Sequence, residues 1–328
     1  MAVLVTGGAG YIGSHMVLRL CDAGEEVVVV DNLTTGFDWA VDHRARLVNG
    51  NAGDIEFVGD LIATHRIAEI VHFAGSIVVP ESVTNPLKYY ANNTATSRSL
   101  IEAAVKGGVK HMVFSSTAAV YGMTGLEPVS EDNVLSPMSP YGRSKLMTEW
   151  MLADVAAAHP LTYGALRYFN VAGADPKKRS GQSSPTATHL IKVACQAALG
   201  QRPFMEIFGT DYPTPDGTCV RDYIHVSDLV EAHALLLAYL RGGGTSTTLN
   251  CGYGQGYSVR QVVDMVHKVS GVDFAVKEAP RRAGDPPAIV AGATKVRELL
   301  GWRPAHDDLE EIVTSAYAWE QYLRTRNR

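Results

Sequence analysis

The chain has 328 residues, room for one large domain or two unequal ones, with 46% hydrophobic and 19% charged side chains in an ordinary globular balance. A net charge of −5, from 29 basic and 34 acidic residues without a long basic run, argues against a nucleic-acid partner. The cysteines, Cys21, Cys195, Cys219 and Cys251, lie too far apart for a metal site or a disulfide frame, the histidines show no ligand spacing, and no apolar run approaches membrane-spanning length, so a cytoplasmic, metal-free protein with reduced thiols is expected.

In chain order, Val3 to Thr6 reads as a buried strand. A glycine-rich turn follows, then a helix from Ile12 to Ala23 whose apolar residues recur at helical spacing and which Gly24 stops. Met1 leads into that first strand almost at once, leaving no room for a signal peptide. Val27 to Val30 runs into Asp31 as a strand for the middle of a parallel sheet. Leu47-Val48, Ile70 to Phe73, Met112 to Ser115 and Tyr163 to Leu166 continue the strands, alternating with helical stretches such as Leu87 to Val105 and Gly142 to Ala158. The alternation predicts an α/β fold of Rossmann type, a doubly wound parallel sheet over residues 1–172. From Gly173 onward the pattern loosens: Gly173 to Pro185 is polar and turn-rich, and Pro203 to Gly217 carries three prolines. Residues 173–328 are read as a smaller substrate lobe, with a segment near 219–250 returning to the first sheet and Ser258 with Gln261 forming a capping box before a helix.

Gly7, Gly8, Gly10 and Gly13 satisfy both G-x-x-G-x-x-G and G-x-G-x-x-G, letting backbone approach a pyrophosphate at the positive end of a helix. Such a turn can be a mere tight connection. Here a strand precedes it, a helix follows, and Asp31 ends the second strand where an acid meets ribose hydroxyls and repels a ribose phosphate, which favours NAD over NADP. Ser115-Ser116-Thr117 places a hydroxyl, chosen as Thr117, at the carboxyl edge of the sheet. Tyr141 and Lys145, at i and i+4 in Ser-Pro-Tyr-Gly-Arg-Ser-Lys, share a helix face, so the ammonium can favour the ionised phenol and make tyrosine a usable base. A shift of about three units from a phenol pKa near ~10 is needed, more than one ammonium supplies, and an oxidised nicotinamide adds the second positive charge. Arg221 and Arg282, in Val-Arg-Asp-Tyr-Ile-His-Val and Arg-Arg-Ala-Gly-Asp-Pro-Pro with Asp285, supply forks suited to a diphosphate.

Beyond these motifs, nearly the whole chain resembles the UDP-glucose 4-epimerase (UDP-galactose 4-epimerase) family of extended short-chain dehydrogenases/reductases. The matching runs include Asp31-Asn32-Leu33, His72-Phe73-Ala74-Gly75, Glu81-Ser82-Val83, Tyr89-Tyr90-Ala91-Asn92-Asn93, Val120-Tyr121-Gly122, Leu166-Arg167-Tyr168-Phe169-Asn170, Phe208-Gly209-Thr210-Asp211-Tyr212-Pro213 and Arg221-Asp222-Tyr223-Ile224-His225-Val226. The resemblance implies Thr117, Tyr141 and Lys145 as catalytic, and Gly7, Gly10, Tyr11, Ile12, Gly13, Asp31, Asn32, Asn51, Ala52, Phe73, Ala74, Gly75, Asn92 and Tyr168 around NAD. It also implies Asn170, Phe208, Arg221, Arg282, Asp285 and Ile289 around a UDP-hexose, and a homodimer. The implied reaction oxidises carbon 4 of the sugar to a ketone, turns the sugar and reduces its other face. Ile289, smaller than the tyrosine of restrictive members, predicts some tolerance of 2-acetamido sugars.

Three positions depart from the family pattern. Gly50-Asn51-Ala52 stands where many relatives have Gly-Asp-Ile, keeping a carbonyl acceptor without the charge; Ile77 replaces a common lysine; and Thr188-His189-Leu190 replaces Asn-Asn-Leu. A nucleotide-sugar dehydratase or decarboxylase of the same fold is the nearest rival, but Ala118-Ala119 follow Thr117 where dehydratases place Asp-Glu. A non-catalytic NAD sensor is the other alternative, and the intact Thr117, Tyr141 and Lys145 speak against it.

Overall fold

The computed structural model describes residues 2–282 and 284–326. The elements run β1 (Val3–Thr6), α1 (Tyr11–Asp22), β2 (Val27–Asp31), β3 (Arg46–Asn49), α2 (Ile55–His65), β4 (Glu69–His72), α3 (Val79–Thr84), α4 (Pro86–Tyr89), a π-helical turn (Tyr90–Ala95), α5 (Thr96–Lys106), β5 (His111–Ser115), α6 (Pro140–Ala158) and β6 (Thr162–Tyr168). Then follow β7 (Asn170–Ala172), α7 (Leu190–Ala198), β8 (Met205–Phe208), β9 (Val220–His225), α8 (Val226–Arg241), β10 (Thr247–Cys251), β11 (Gly256–Ser258), α9 (Val259–Ser270), β12 (Val276–Ala279), β13 (Ala288–Ile289), α10 (Thr294–Leu300) and α11 (Leu309–Arg326).

Seven parallel strands form the large sheet in the order β10-β6-β5-β4-β1-β2-β3. Its strands are apolar on both faces because both are covered. Alternation along each strand sends Val3, Val5, Val27, Val29 and Val113 into one core and Leu4, Val28, Val30, Met112 and Phe114 into the other. Helices α1 and α8 close the first face, α2 and α5 the second. Each buried valine or leucine contributes about 1.5–3 kcal/mol, so a charge at Val29 would strip the support beneath the glycine turn. Strand order reverses between β1 and β4, which opens a crevice at their carboxyl ends.

The remaining strands make small sheets. At the centre of one lies β9, with β11 antiparallel to it and β13 and β7 parallel, while β8 and β12 form a parallel pair. Of the stretch 219–250, therefore, β9 lies in the small sheet while β10 extends the large one beside β6. The capping box is present: Gln261 N donates to Ser258 Oγ at 3.1 Å and Ser258 N to Gln261 Oε1 at 2.8 Å. The stretch from Leu87 to Val105, predicted as one helix, is instead α4 and α5 joined by the π-helical turn.

Candidate active site

The crevice is lined first by the turn between β1 and α1. Gly7 adopts φ +72°, and a Cβ there would stand 2.6 Å from Ala74 N and 3.0 Å from the Phe73 carbonyl carbon, so the turn and the segment after β4 meet backbone to backbone. A Cβ at Gly13 would lie 2.1 Å from the Gly7 carbonyl oxygen. No side chain caps α1 and no acid occupies its first turn, leaving amide N–H groups for an anion. Asp31 is buried and accepts from Ala9 N at 3.0 Å and Leu33 N at 2.8 Å, fixing the carboxylate beside that turn. These residues fit the pyrophosphate and ribose of a dinucleotide. Asn32 accepts from Thr34 N, Ala52 is buried, and Ile12 packs against the core. The Tyr11 hydroxyl donates to the Gly173 carbonyl at 2.6 Å, tying α1 to the segment just after β7.

On the other side of the crevice α6 meets the end of β5. Ser139 caps the helix, its hydroxyl accepting from Gly142 N at 3.1 Å, with Pro140 in the first turn. That start fixes Tyr141 one turn before Lys145, and both are buried. The Thr117 hydroxyl accepts from Ala119 N at 3.2 Å and lies near enough to the Tyr141 phenol to pull its pKa down. Lys145 Nζ donates to the Ser115 carbonyl at 2.9 Å and sits 4.9 Å from the Phe114 ring centroid. A Cβ at Gly75 would come within 3.7 Å of Lys145 Nζ, which brings the segment Phe73-Ala74-Gly75 to the same place. The Tyr168 hydroxyl pairs with Ser115 Oγ.

The electrostatics correct one expectation. Burial holds the Tyr141 phenol above its ordinary 10.0, with Thr117 pulling it the other way, and burial lowers the Lys145 ammonium from 10.5 to about 8. Desolvation of the phenol thus outweighs the pull of Thr117, and the Lys145 ammonium does not set the direction of the shift.

Asn92 and Asn93 fall in the π-helical turn, a distortion that sequence periodicity did not reveal. Asn92 donates to Ser76 Oγ at 2.9 Å. Asn93, missed from sequence, accepts from Ser76 N at 2.7 Å and donates to the Ser76 carbonyl and to Ser144 Oγ, each at 3.0 Å. It pins the turn after Gly75 to α6; a doubled asparagine next to two tyrosines was the available signal.

Of the candidate substrate residues, Asn170, Arg221 and Ile289 lie on the small sheet around β9, Phe208 ends β8, and Arg282 and Asp285 lie in the loop before β13. Asn170 pairs in register with Tyr223 and Ile289 with Arg221, so β7 and β13 carry two of them against β9. Arg221 Nη2 lies 3.8 Å from Asp285 Oδ1, and the Arg282 guanidinium stacks 3.7 Å above the Phe208 ring. A Cβ at Gly284 would lie 4.0 Å from Met138, setting this loop beside the segment that leads into Tyr141.

At the three departures, Asn51 Oδ1 accepts from Gly53 N at 2.9 Å, so its side-chain carbonyl is used in a local turn. Ile77 is 51% exposed. His189 lines a small cavity with Tyr11, Gln182 and Lys192, and burial lowers its imidazole to about 4.

Residues 3–252 match the NAD dependent epimerase/dehydratase family. The chain is 57% identical over 321 residues to a UDP-glucose 4-epimerase of Azospirillum brasilense, covering 98% of this chain and 92% of that protein. Among solved structures, it is similar to a UDP-glucose 4-epimerase from Brucella ovis in complex with NAD, with TM-score 0.94 and 42% identity over 97% of each chain. A UDP-Glc/GlcNAc 4-epimerase from Campylobacter jejuni matches with TM-score 0.86 and 47% identity over 98% of this chain and 99% of that one.

Proposed function

Because the chain belongs to the NAD dependent epimerase/dehydratase family, we propose that it interconverts UDP-glucose and UDP-galactose with NAD as its cofactor. When bound, NAD supplies a hydride acceptor and donor for sugar carbon 4 and, oxidised, a positive charge, so a full cycle leaves no net redox change. Gly7, Gly10 and Gly13 with the start of α1 hold its pyrophosphate, and Asp31 its ribose.

The observation that carries this reading is the buried Thr117–Tyr141 pair beside Lys145, facing the segment that meets the glycine turn. Tyr141 takes the proton of the 4-hydroxyl and later returns it, while Thr117 hydrogen-bonds the same oxygen. Lys145 keeps a positive charge behind the phenol and holds the Ser115 carbonyl. Arg221, Arg282, Asp285 and Phe208 grip UDP, with Asn170 at the diphosphate or sugar. That grip lets the keto sugar turn about its linkage and present its other face. Residues 173–328, with part of 219–250 returned to the large sheet, serve as the substrate lobe.

Incubating the purified protein with UDP-galactose and resolving the nucleotide sugars tests the reading: UDP-glucose forms to equilibrium without consumption of added NAD, and no conversion overturns it. Ile289 is a small wall residue, buried on β13, and favours a second activity on UDP-N-acetylgalactosamine. The protein is also taken as a cytoplasmic homodimer that binds neither nucleic acid nor membrane. Among the described residues no helix is long and apolar enough to cross a membrane. Trp150, 56% exposed on α6, and Leu87, 77% exposed on α4, support self-association, and sedimentation at the monomer mass would reject it.

A further inference from the structure

Beneath the catalytic residues lies a charged cluster that the proposed reaction does not use. Glu149 and Arg167 are each 5% exposed. Arg167 Nη2 donates to Glu149 Oε2 at 2.6 Å, and Arg167 Nε reaches both carboxylate oxygens, at 3.0 and 3.2 Å. The Ser116 hydroxyl, fully buried, donates to Glu149 Oε1. On the far side Arg167 Nη1 meets the Tyr121 hydroxyl at 3.1 Å, Tyr121 donates to Asn250 Oδ1 at 2.6 Å, and Asn250 Nδ2 donates to the Val129 carbonyl at 2.8 Å.

A buried ion pair is a poor stability device, because desolvation offsets much of its Coulombic attraction, and apolar replacements of similar volume are often neutral or stabilising. What such a pair fixes well is geometry. Tyr141, Lys145 and Glu149 follow at intervals of four on α6 and so share one face. They face three consecutive residues where β5 ends: Tyr141 lies beside Thr117, Lys145 Nζ donates to the Ser115 carbonyl, and Glu149 accepts from the Ser116 hydroxyl. Only the third rung lies away from the reacting groups. An ionised carboxylate accepts from Ser116 and from the arginine fork together, whereas an amide in its place turns an N–H toward one of these donors.

We infer that Glu149, clamped by Arg167, is a positioning residue: it locks Ser116 and thereby sets Thr117 against the Tyr141 hydroxyl. The same cluster extends through Asn250 to Val129, which bridges to Ala291 just past β13, so the substrate lobe is referenced to the same rung.

This inference rests on the epimerase reading above, and two variants test it. Ser116→Ala removes the rung and leaves the ion pair intact; Glu149→Met with Arg167→Met replaces the pair by apolar side chains. Both are expected to lower kcat by about tenfold to a hundredfold, the scale of a small misplacement, with KM for UDP-galactose unchanged. The acidic limb of the kcat profile moves to higher pH in both, because the downward pull of Thr117 on the phenol is weakened. The other titratable groups about Tyr141, namely Lys145 on its own helix, Tyr89 from α4 and Tyr168 from β6, are the same in every variant. Wild-type kcat and limb in folded Ser116→Ala, or a loss of activity that merely tracks a lowered melting temperature with the limb unmoved, overturns the inference even if the double variant fails to fold. Absence of conversion by the wild type overturns the epimerase reading instead.

Discussion

The two ends of the crevice are built differently. At the α6–β5 end Thr117, Tyr141, Lys145, Ser116 and Glu149 are all buried, and all but the Tyr141 side chain are bonded to one another or to backbone, so their places are set by the fold. At the lobe end Arg282 is exposed and stacked on Phe208, a contact that surface side chains make and break cheaply, and the largely buried Arg221 reaches a partly exposed Asp285 only at 3.8 Å. The contrast matches the demands of an epimerase: a fixed base and a ligand grip that tolerates a turning sugar.

Breaking the fixed end has the largest effect. Tyr141→Phe should lower kcat by about a thousandfold or more while UDP affinity, measured by calorimetry, stays at the wild-type value. At the lobe end Arg282→Ala should raise KM by about tenfold with kcat nearly unchanged, since it removes binding common to ground and transition states. Steady-state kinetics on the two variants side by side would blur the contrast if both parameters moved together in each.

A smaller effect reports the burial of the fixed end. Lys145 titrates near 8 in the folded chain against an ordinary 10.5. Between these values the unfolded chain holds a proton that the folded chain has shed, so this group contributes stability that rises with pH across that window. Lys145→Met lacks the contribution, and the urea midpoint of the wild type should gain on that of the variant between pH 8 and 10; parallel midpoints would mean that the ammonium is better solvated than its surroundings indicate. The smallest effect sharpens the lobe end: Ile289→Tyr should abolish conversion of UDP-N-acetylgalactosamine while sparing UDP-galactose, and equal loss of both would show that residue 289 does not sort substrates.

Legibility in sequence follows the same division. The glycine turn, Asp31 and the Tyr141–Lys145 pair were readable because their geometry is local: one turn, one strand end, one helix face. The small sheet was not, since β13 is two residues long and pairs with a strand more than sixty residues earlier, leaving no periodicity to detect. The π-helical turn stayed hidden inside a stretch of good helical pattern. Ser116 follows β5, Glu149 lies on α6 and Arg167 on β6, and only the packing of α6 on the sheet unites them. The direction of the Tyr141 shift was beyond reach for a related reason: spacing counts neighbouring charges but not the water removed from around them.

The central claim is that one sugar carbon gives up its hydrogen and receives the same hydrogen back on the other face, with Tyr141 handling the proton. UDP-galactose deuterated at carbon 4, converted in ordinary water and examined by mass spectrometry and proton NMR, tests it directly. Deuterium retained at carbon 4 of the UDP-glucose formed is the predicted result, and replacement of that deuterium by solvent hydrogen would contradict it.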